Sequence, residues 1–258
     1  MERKIAVKWL TTARDLKRRK ARERNGLFVA EGVRTVEELA RSTLVVEAAL
    51  VAARAASDER AGAAVRALAA RGVAVLEVTD AEFDSAADTE HPQGLLAIAR
   101  QPQRTLGALT LGAQTRLLVL DAIQDPGNVG VLIRTAAALG STAVVALPGT
   151  VDVWNAKVVR SAAGTHFRFP AVEATVAALQ DYLGQHGVAL WGTDASGSPI
   201  DELQAPDRLA IAVGNEGAGL SDALRAGCSA VVSLPMSPDV ESYNVAVAAG
   251  ITLYALRP

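Results

Sequence analysis

Three segments in the second half of the chain set polar side chains among glycines, each where an apolar strand gives way to a helix. In the first, DAIQDPGNVGVLIRTAAALG (121–140), Pro126-Gly127 makes a tight turn and Asn128 is spaced to cap a helix over 128–139. Arg134 interrupts a run of Val, Leu, Ile and Ala, and a cation buried there needs a carboxylate, a phosphate or a water-filled cleft. A cap and an internal salt bridge are the plainer roles of Asn128 and Arg134. The second segment, LAIAVGNEGAGLSDALRAGC (209–228), ends a strand in Gly214-Asn215-Glu216-Gly217-Ala218-Gly219, glycines that admit left-handed backbone and close approach of a ligand. A carboxylate in mid-loop opposes phosphate binding, and neither the dinucleotide nor the P-loop fingerprint fits. The loop suits a neutral or cationic ligand, or a carboxylate paired with an arginine such as Arg134. In the third (231–258), a strand ends in Leu234-Pro235-Met236, and Ser242-Tyr243-Asn244 opens a helix whose Ala246, Ala248, Ala249 and Gly250 allow close packing. Ser242 and Asn244 read most simply as an N-cap pair.

The elements that carry these segments alternate. From residue 115 the apolar runs LLVL, AVVAL and LAIAV predict a parallel sheet covered on both faces. Strands are expected at 116–121, 142–147, 188–193, 208–213 and 230–234, and helices at 128–139, 154–162, 172–186, 218–226 and 242–256. Before it, strands at LFVAEG, LVVEAALVA, 73–78 and 95–100 with helices at 35–41 and 58–71 predict a smaller α/β domain. The domains expected are thus 1–100 and 115–258, with 101–114 as linker. Residues 14–24, RDLKRRKARER, are strongly basic. As a helix they carry Lys17, Arg18, Arg19, Lys20, Arg22 and Arg24 over most sides, either as a solvated face or as contacts to RNA phosphates.

Composition narrows the class. The 258 residues are half hydrophobic and 4% aromatic, with formal net charge −2, so this is an ordered α/β protein whose nucleic-acid surface, if any, is local. One cysteine, Cys228, excludes an intrachain disulfide and a cysteine metal cluster and is compatible with a reducing cytoplasm. Three scattered histidines give no zinc site, and no metal is expected. No signal peptide or membrane span is expected.

The pieces Asp125-Pro-Gly-Asn-Val-Gly with Arg134, Gly214-Asn-Glu-Gly-Ala-Gly-Leu, and Leu234-Pro-Met followed by Ser242-Tyr-Asn-Val-Ala-Val-Ala-Ala-Gly resemble, in order, the three signature motifs of the SpoU/TrmH family of knotted RNA methyltransferases. KVVRSAAGTHFRFP (157–170) resembles a further family segment. RNGLFVAEGVRTVEEL and HPQGLLAIA resemble the small α/β RNA-binding domain that many members carry first. Tyr243 stands where the family usually has Leu.

The resemblance implies a parallel-sheet catalytic domain with a deep trefoil knot, a homodimer with both protomers contributing to the active site, and a cytoplasmic enzyme. The implied activity is methyl transfer from S-adenosylmethionine to a ribose 2′-hydroxyl of RNA, with 23S-type ribosomal RNA favoured. It assigns Arg134 to catalysis, with Asn128, Glu216, Ser242 and Asn244 as its positioning partners. It assigns Thr193, Gly214, Asn215, Gly217, Leu234, Pro235, Met236, Tyr243 and Val245 to the cofactor. Alternatives are a transfer-RNA ribose methyltransferase, a non-catalytic RNA-binding or ribosome-assembly protein of the same fold, and a nucleotide-cofactor oxidoreductase. The last needs a glycine fingerprint that the first turn, DPGNVG, lacks.

Overall fold

Ala6, Leu10 and Ala13 recur at helical spacing along the N-terminal segment, and the chain forms α1 over Glu2–Asp15. The sequence pattern gives no helix before residue 14, because two of these three buried residues are alanine. The computed structural model describes residues 2–257. After α1 come α2 (Arg19–Asn25), β1 (Leu27–Glu31), α3 (Val33–Ala40), β2 (Val46–Ala52), α4 (Glu59–Ala70), β3 (Ala74–Val78), α5 (Asp80–Ala86) and β4 (Leu95–Arg100). Helix α5 lies outside the expected pattern, although Thr79 and Glu82 form a capping box at its start. The four strands form one sheet in the order β1-β4-β2-β3; β4 is antiparallel to both neighbours and β2 is parallel to β3.

The second sheet opens with β5 (Thr115–Leu120), followed by α6 (Pro126–Ala138) and β6 (Ala143–Ala146). The short α7 (Ala156–Ser161) does not pack there. Residues up to Gln103 and Asp152–Arg168 make one unit; Arg104–Val151 and Phe169 onward make the other. The segment 152–168, expected in the C-terminal domain, joins the first unit because its aromatics meet Phe28 of β1. Trp154 and Phe167 lie 4.6 and 5.5 Å from the Phe28 ring, and His166 lies 4.6 Å from Trp154. The expected linker also acquires a place, since Leu106, Leu109 and Leu111 pack on the core of the second unit.

That unit continues with β7 (Ala171–Glu173), α8 (Val176–His186), β8 (Ala189–Pro199), β9 (Arg208–Val213), α9 (Asp222–Arg225), β10 (Ala230–Ser233) and α10 (Val245–Ala255). The start of the expected helix 172–186 is strand β7, and the helix expected at 218–226 shrinks to the four residues of α9. All pairings in the six-stranded sheet β10-β8-β9-β5-β6-β7 are parallel, as the continuous apolar runs predict. Every strand therefore delivers its following loop to the same edge. Buried Arg116 of β5 donates to the carbonyls of Leu256, Thr115 and Asp207, which ties the end of α10 to the sheet. Among the described residues no helix is long and apolar enough to cross a membrane.

The basic segment 14–24 is not one helix. Arg18 is extended, and the chain turns between α1 and α2. Arg22 points inward, where its Nη1 donates to the carbonyls of Leu16 and Lys17 (2.8 and 2.9 Å) and its Nε to Asp152 Oδ2 (2.6 Å). With both side chains under a tenth exposed, this is a buried ion pair, and Arg22 is corrected from RNA contact to core residue. Removing Asp152 leaves that guanidinium buried and uncompensated. Asp152→Ala is expected to lower unfolding free energy by about 3–5 kcal/mol in urea titrations; a loss under about 1 kcal/mol, the range of exposed pairs, would refute this.

Candidate active site

The connection from β5 to α6 begins the site. Asp125, not Asn128, is the N-cap of α6: its Oδ1 accepts from the Asn128 amide N–H at 2.7 Å, and Pro126 takes the first helical position. Relieved of capping, the Asn128 side chain faces the other two motifs. Its Nδ2 donates to Glu216 Oε1 at 2.9 Å, and its Oδ1 accepts from Asn244 Nδ2 at 3.1 Å. Asn244 in turn caps α10, accepting from the amides of Ala246 and Val247. One hydrogen-bonded chain, Asn244–Asn128–Glu216, thus joins the three segments. Within this chain Glu216 is bonded by Asn128 and not by Arg134, which the sequence offers as one of two alternatives.

Arg134 is exposed, not buried. Val129, Leu132, Ile133 and Ala136 carry the buried stripe of α6, while Val131 and Arg134 face solvent. Arg134 therefore needs no internal countercharge, and among the described residues it makes no ion pair. Its run of apolar neighbours made it look buried.

The glycine segment closes on itself. Asn215 and Gly219 exchange backbone hydrogen bonds at 2.9 Å each way, and Asn215 Oδ1 accepts from the amides of Gly217 and Ala218 at 3.0 Å. A Cβ on Gly214 would stand 2.2 Å from the carbonyl carbon of Gly219, so no side chain fits there. Gly219 adopts φ +70°, which glycine meets without strain.

Between this ring, β8, β10 and the start of α10 opens a cleft of about 560 Å³. Of the residues assigned to the cofactor, Thr193, Gly214, Asn215, Gly217, Leu234, Met236, Tyr243 and Val245 line it. Pro235 does not, although its carbonyl accepts from the Tyr243 hydroxyl at 2.8 Å. A leucine at 243 could not make that bond, so the departure from the family pattern closes the loop 235–243. Glu216, Ser242 and Asn244 line the cleft too; Asn128 and Arg134 are not among its walls.

Asp194 and Glu241 line it as well and were not singled out in the sequence. Asp194 comes from an excursion of β8. Gly192 pairs with Val231 and Ser198 with Val232, so residues 193–197 loop out between adjacent positions of β10. Hydrogen bonds from the Ser196 hydroxyl and amide, then Arg225, hold the Asp194 carboxyl below the usual carboxylate range. The Asp-x-Ser turn pattern was the available signal. Glu241 offered none beyond its neighbours. With Asp194 paired, the cleft presents Glu216 and Glu241, and among the described residues no lysine, arginine or histidine lines it. Such walls favour a cationic ligand, and Val232, Leu234, Met236 and Val245 supply apolar surface. Among the described residues no cluster of three His, Cys, Asp or Glu side chains could hold a metal ion.

Of the basic residues, Lys17 donates to the Ala87 carbonyl, and Arg18 and Arg19 pair with Asp15 and Glu23. Lys20 and Arg24 are exposed and form no ion pair among the described residues.

The SpoU rRNA Methylase family model matches residues 115–254, and the MRM3-like substrate binding domain model matches residues 9–97. The chain is 36% identical over 242 residues to the 23S rRNA (guanosine(2553)-2′-O)-methyltransferase RlmP of Bacillus subtilis, covering 93% of this chain and 92% of that protein. Among solved structures, the SpoU methyltransferase AviRb from Streptomyces viridochromogenes, in complex with the cofactor AdoMet, superposes with TM-score 0.86 at 27% identity, over 96% of each chain. The AdoMet-bound rRNA methyltransferase from Sinorhizobium meliloti gives TM-score 0.85 at 26% identity, over 96% of this chain and 93% of that one. The chain belongs to the SpoU rRNA methylase family.

Proposed function

We propose that this protein transfers a methyl group from S-adenosylmethionine to a ribose 2′-hydroxyl of RNA, with 23S-type ribosomal RNA as substrate. The observation that carries the reading is the hydrogen-bonded chain Asn244–Asn128–Glu216 at the rim of an acidic cleft. The donor set fits a sulfonium: carboxylates without competing cations, apolar surface for a purine, and loop backbone for hydrogen bonding. Thr193, Gly214, Asn215, Gly217, Leu234, Met236, Tyr243 and Val245 hold it, with Pro235 bracing Tyr243. When bound, S-adenosylmethionine supplies a methyl group already activated on sulfur.

The protein's own task is then to position the ribose and ease loss of its proton. Asn128, Glu216, Ser242 and Asn244 orient the reacting groups. Arg134 carries a guanidinium, which is a poor base. It holds phosphate and stabilises charge developing on the 2′-oxygen. Since Arg134 does not line the cleft of its own chain, a second copy supplies it in this reading. Exposed Val131 on α6 and Val247, Ile251 and Tyr254 on α10 support a homodimer. The reading also includes a deep trefoil knot in the C-terminal segment, a first unit that captures RNA, and a cytoplasmic location consistent with the free Cys228.

Arg134→Ala is expected to lower methyl transfer by about 100-fold or more while the donor binds with unchanged affinity; wild-type turnover on rRNA would sink the assignment. Mixing inactive Arg134→Ala and Asn244→Ala proteins should restore transfer if each site draws on two protomers, and no recovery would exclude that. RNA affinity should fall steeply with salt, and the double change Lys20→Ala with Arg24→Ala should reduce the log–log slope by about 2. An unchanged slope would remove those residues from the RNA surface.

A further inference from the structure

The exposed carboxylate of Glu216 stands at the tip of a loop, yet its bond to Asn128 requires a fixed position. What fixes it lies below. Where β5 ends, the β5–α6 connection and the loop after β9 run side by side, joined by successive hydrogen bonds. The Asp121 amide donates to the Val213 carbonyl at 3.0 Å, continuing the sheet. Asp121 Oδ2 then accepts from the Ser221 amide at 2.7 Å, Asn215 Nδ2 donates to the Ala122 carbonyl at 2.9 Å, and Asn128 Nδ2 donates to Glu216 at 2.9 Å. Asp121 is 3% exposed, whereas Glu216 is exposed, so the series climbs from core to cleft.

Two features show that the lower rungs are constrained. Ala122 adopts φ +57°, a costly conformation for a residue with a Cβ, and its carbonyl is turned to the Asn215 amide. The turn after β6 braces it from the other side. Val151 donates to the Ile123 carbonyl, and a Cβ on Gly149 would stand 2.9 Å from the Ala122 methyl. Asn215 spends its whole carboxamide, with the oxygen inside the ring and the nitrogen on Ala122. Bonds inside the ring close it, and two adjacent residues of the connection hold it, Ala122 directly and Asp121 through Ser221.

We infer that Asp121 is a positioning residue: by holding the Ser221 amide it registers the glycine ring against the β5–α6 connection, and so sets Glu216 on Asn128. This rests on the methyltransferase reading for its consequence in turnover, though not for its geometry.

The test has two arms. In Asp121→Ala, amide exchange at Gly217 and Ala218 should accelerate, and kcat on RNA should fall about tenfold to 100-fold with the KM for RNA little changed. Asp121→Asn keeps an oxygen that can accept from Ser221 and should restore both. In the Glu216→Ala background Asp121→Ala should add no further loss, because the side chain it positions is gone. Should Asp121→Ala fail to fold, Ser221→Pro removes the same bond from the donor side at φ −61°, which proline adopts, and should reproduce the exchange and turnover effects. Unchanged exchange at Gly217 and Ala218, or losses that multiply with Glu216→Ala, would overturn the inference. A wild-type protein that methylates no RNA would instead sink the proposed function, and exchange would still decide the role of Asp121.

Discussion

A carboxamide donates and accepts at once, and Asn128 does both across the mouth of the cleft, toward Glu216 on one side and Asn244 on the other. Each partner comes from a different crossover of the parallel sheet, so the bond pattern requires β5, β9 and β10 to end at one edge. It also requires α6 to begin with another residue as its cap. Asp125 meets that need, and the helix start becomes a platform from which Asn128 reaches outward. Reverse the amide of Asn128 and both bonds become repulsive, donor facing donor and oxygen facing carboxylate. Glu216, which only accepts when ionised, thereby sets the orientation of every amide in the chain.

The cleft behind this chain is shaped by backbone more than by side chains. Gly214 presses on Gly219, and Gly197 returns β8 to its pairing where a Cβ would stand 2.6 Å from the Val231 carbonyl. Polar backbone exposed by these turns is available to a ligand, because the loops bend away from sheet pairing. The charged groups are sorted: Asp194 is paired with Arg225 and hydrogen-bonded by Ser196, while Glu216 and Glu241 line the opening.

Much of this is legible in the amino-acid sequence. The continuous apolar runs specified a parallel sheet, and the glycines with an acidic centre marked a loop unsuited to phosphate. Cap assignment failed at Asn128 because Asp-Pro-Gly-Asn offers two capping residues, and the choice depends on where the chain leaves β5. Apolar neighbours in sequence surround Arg134, yet the phase of α6 turns it outward, which local composition does not reveal. Arg22 was judged exposed from its basic surroundings, yet its partner Asp152 lies 130 residues away and no local pattern announces it. The same long-range pairing, with Trp154 and Phe167 on Phe28, explains why 152–168 leaves the second unit. Local periodicity sees faces; it does not see which distant segment will cover them.

The glycine ring divides its own positions by their freedom to vary. Asn215 supplies every interior bond, and Gly214 and Gly219 fill the space that closes it. Gly217 and Ala218 contribute only amides to the ring, and both are exposed. At Gly217 an added Cβ would come no nearer than 3.7 Å to its nearest neighbour, the Asn215 oxygen. Sequence drift, or a library built for altered substrate choice, therefore has an open site at 217 and 218 beside the Glu216 carboxylate and a closed one at 214, two residues before it.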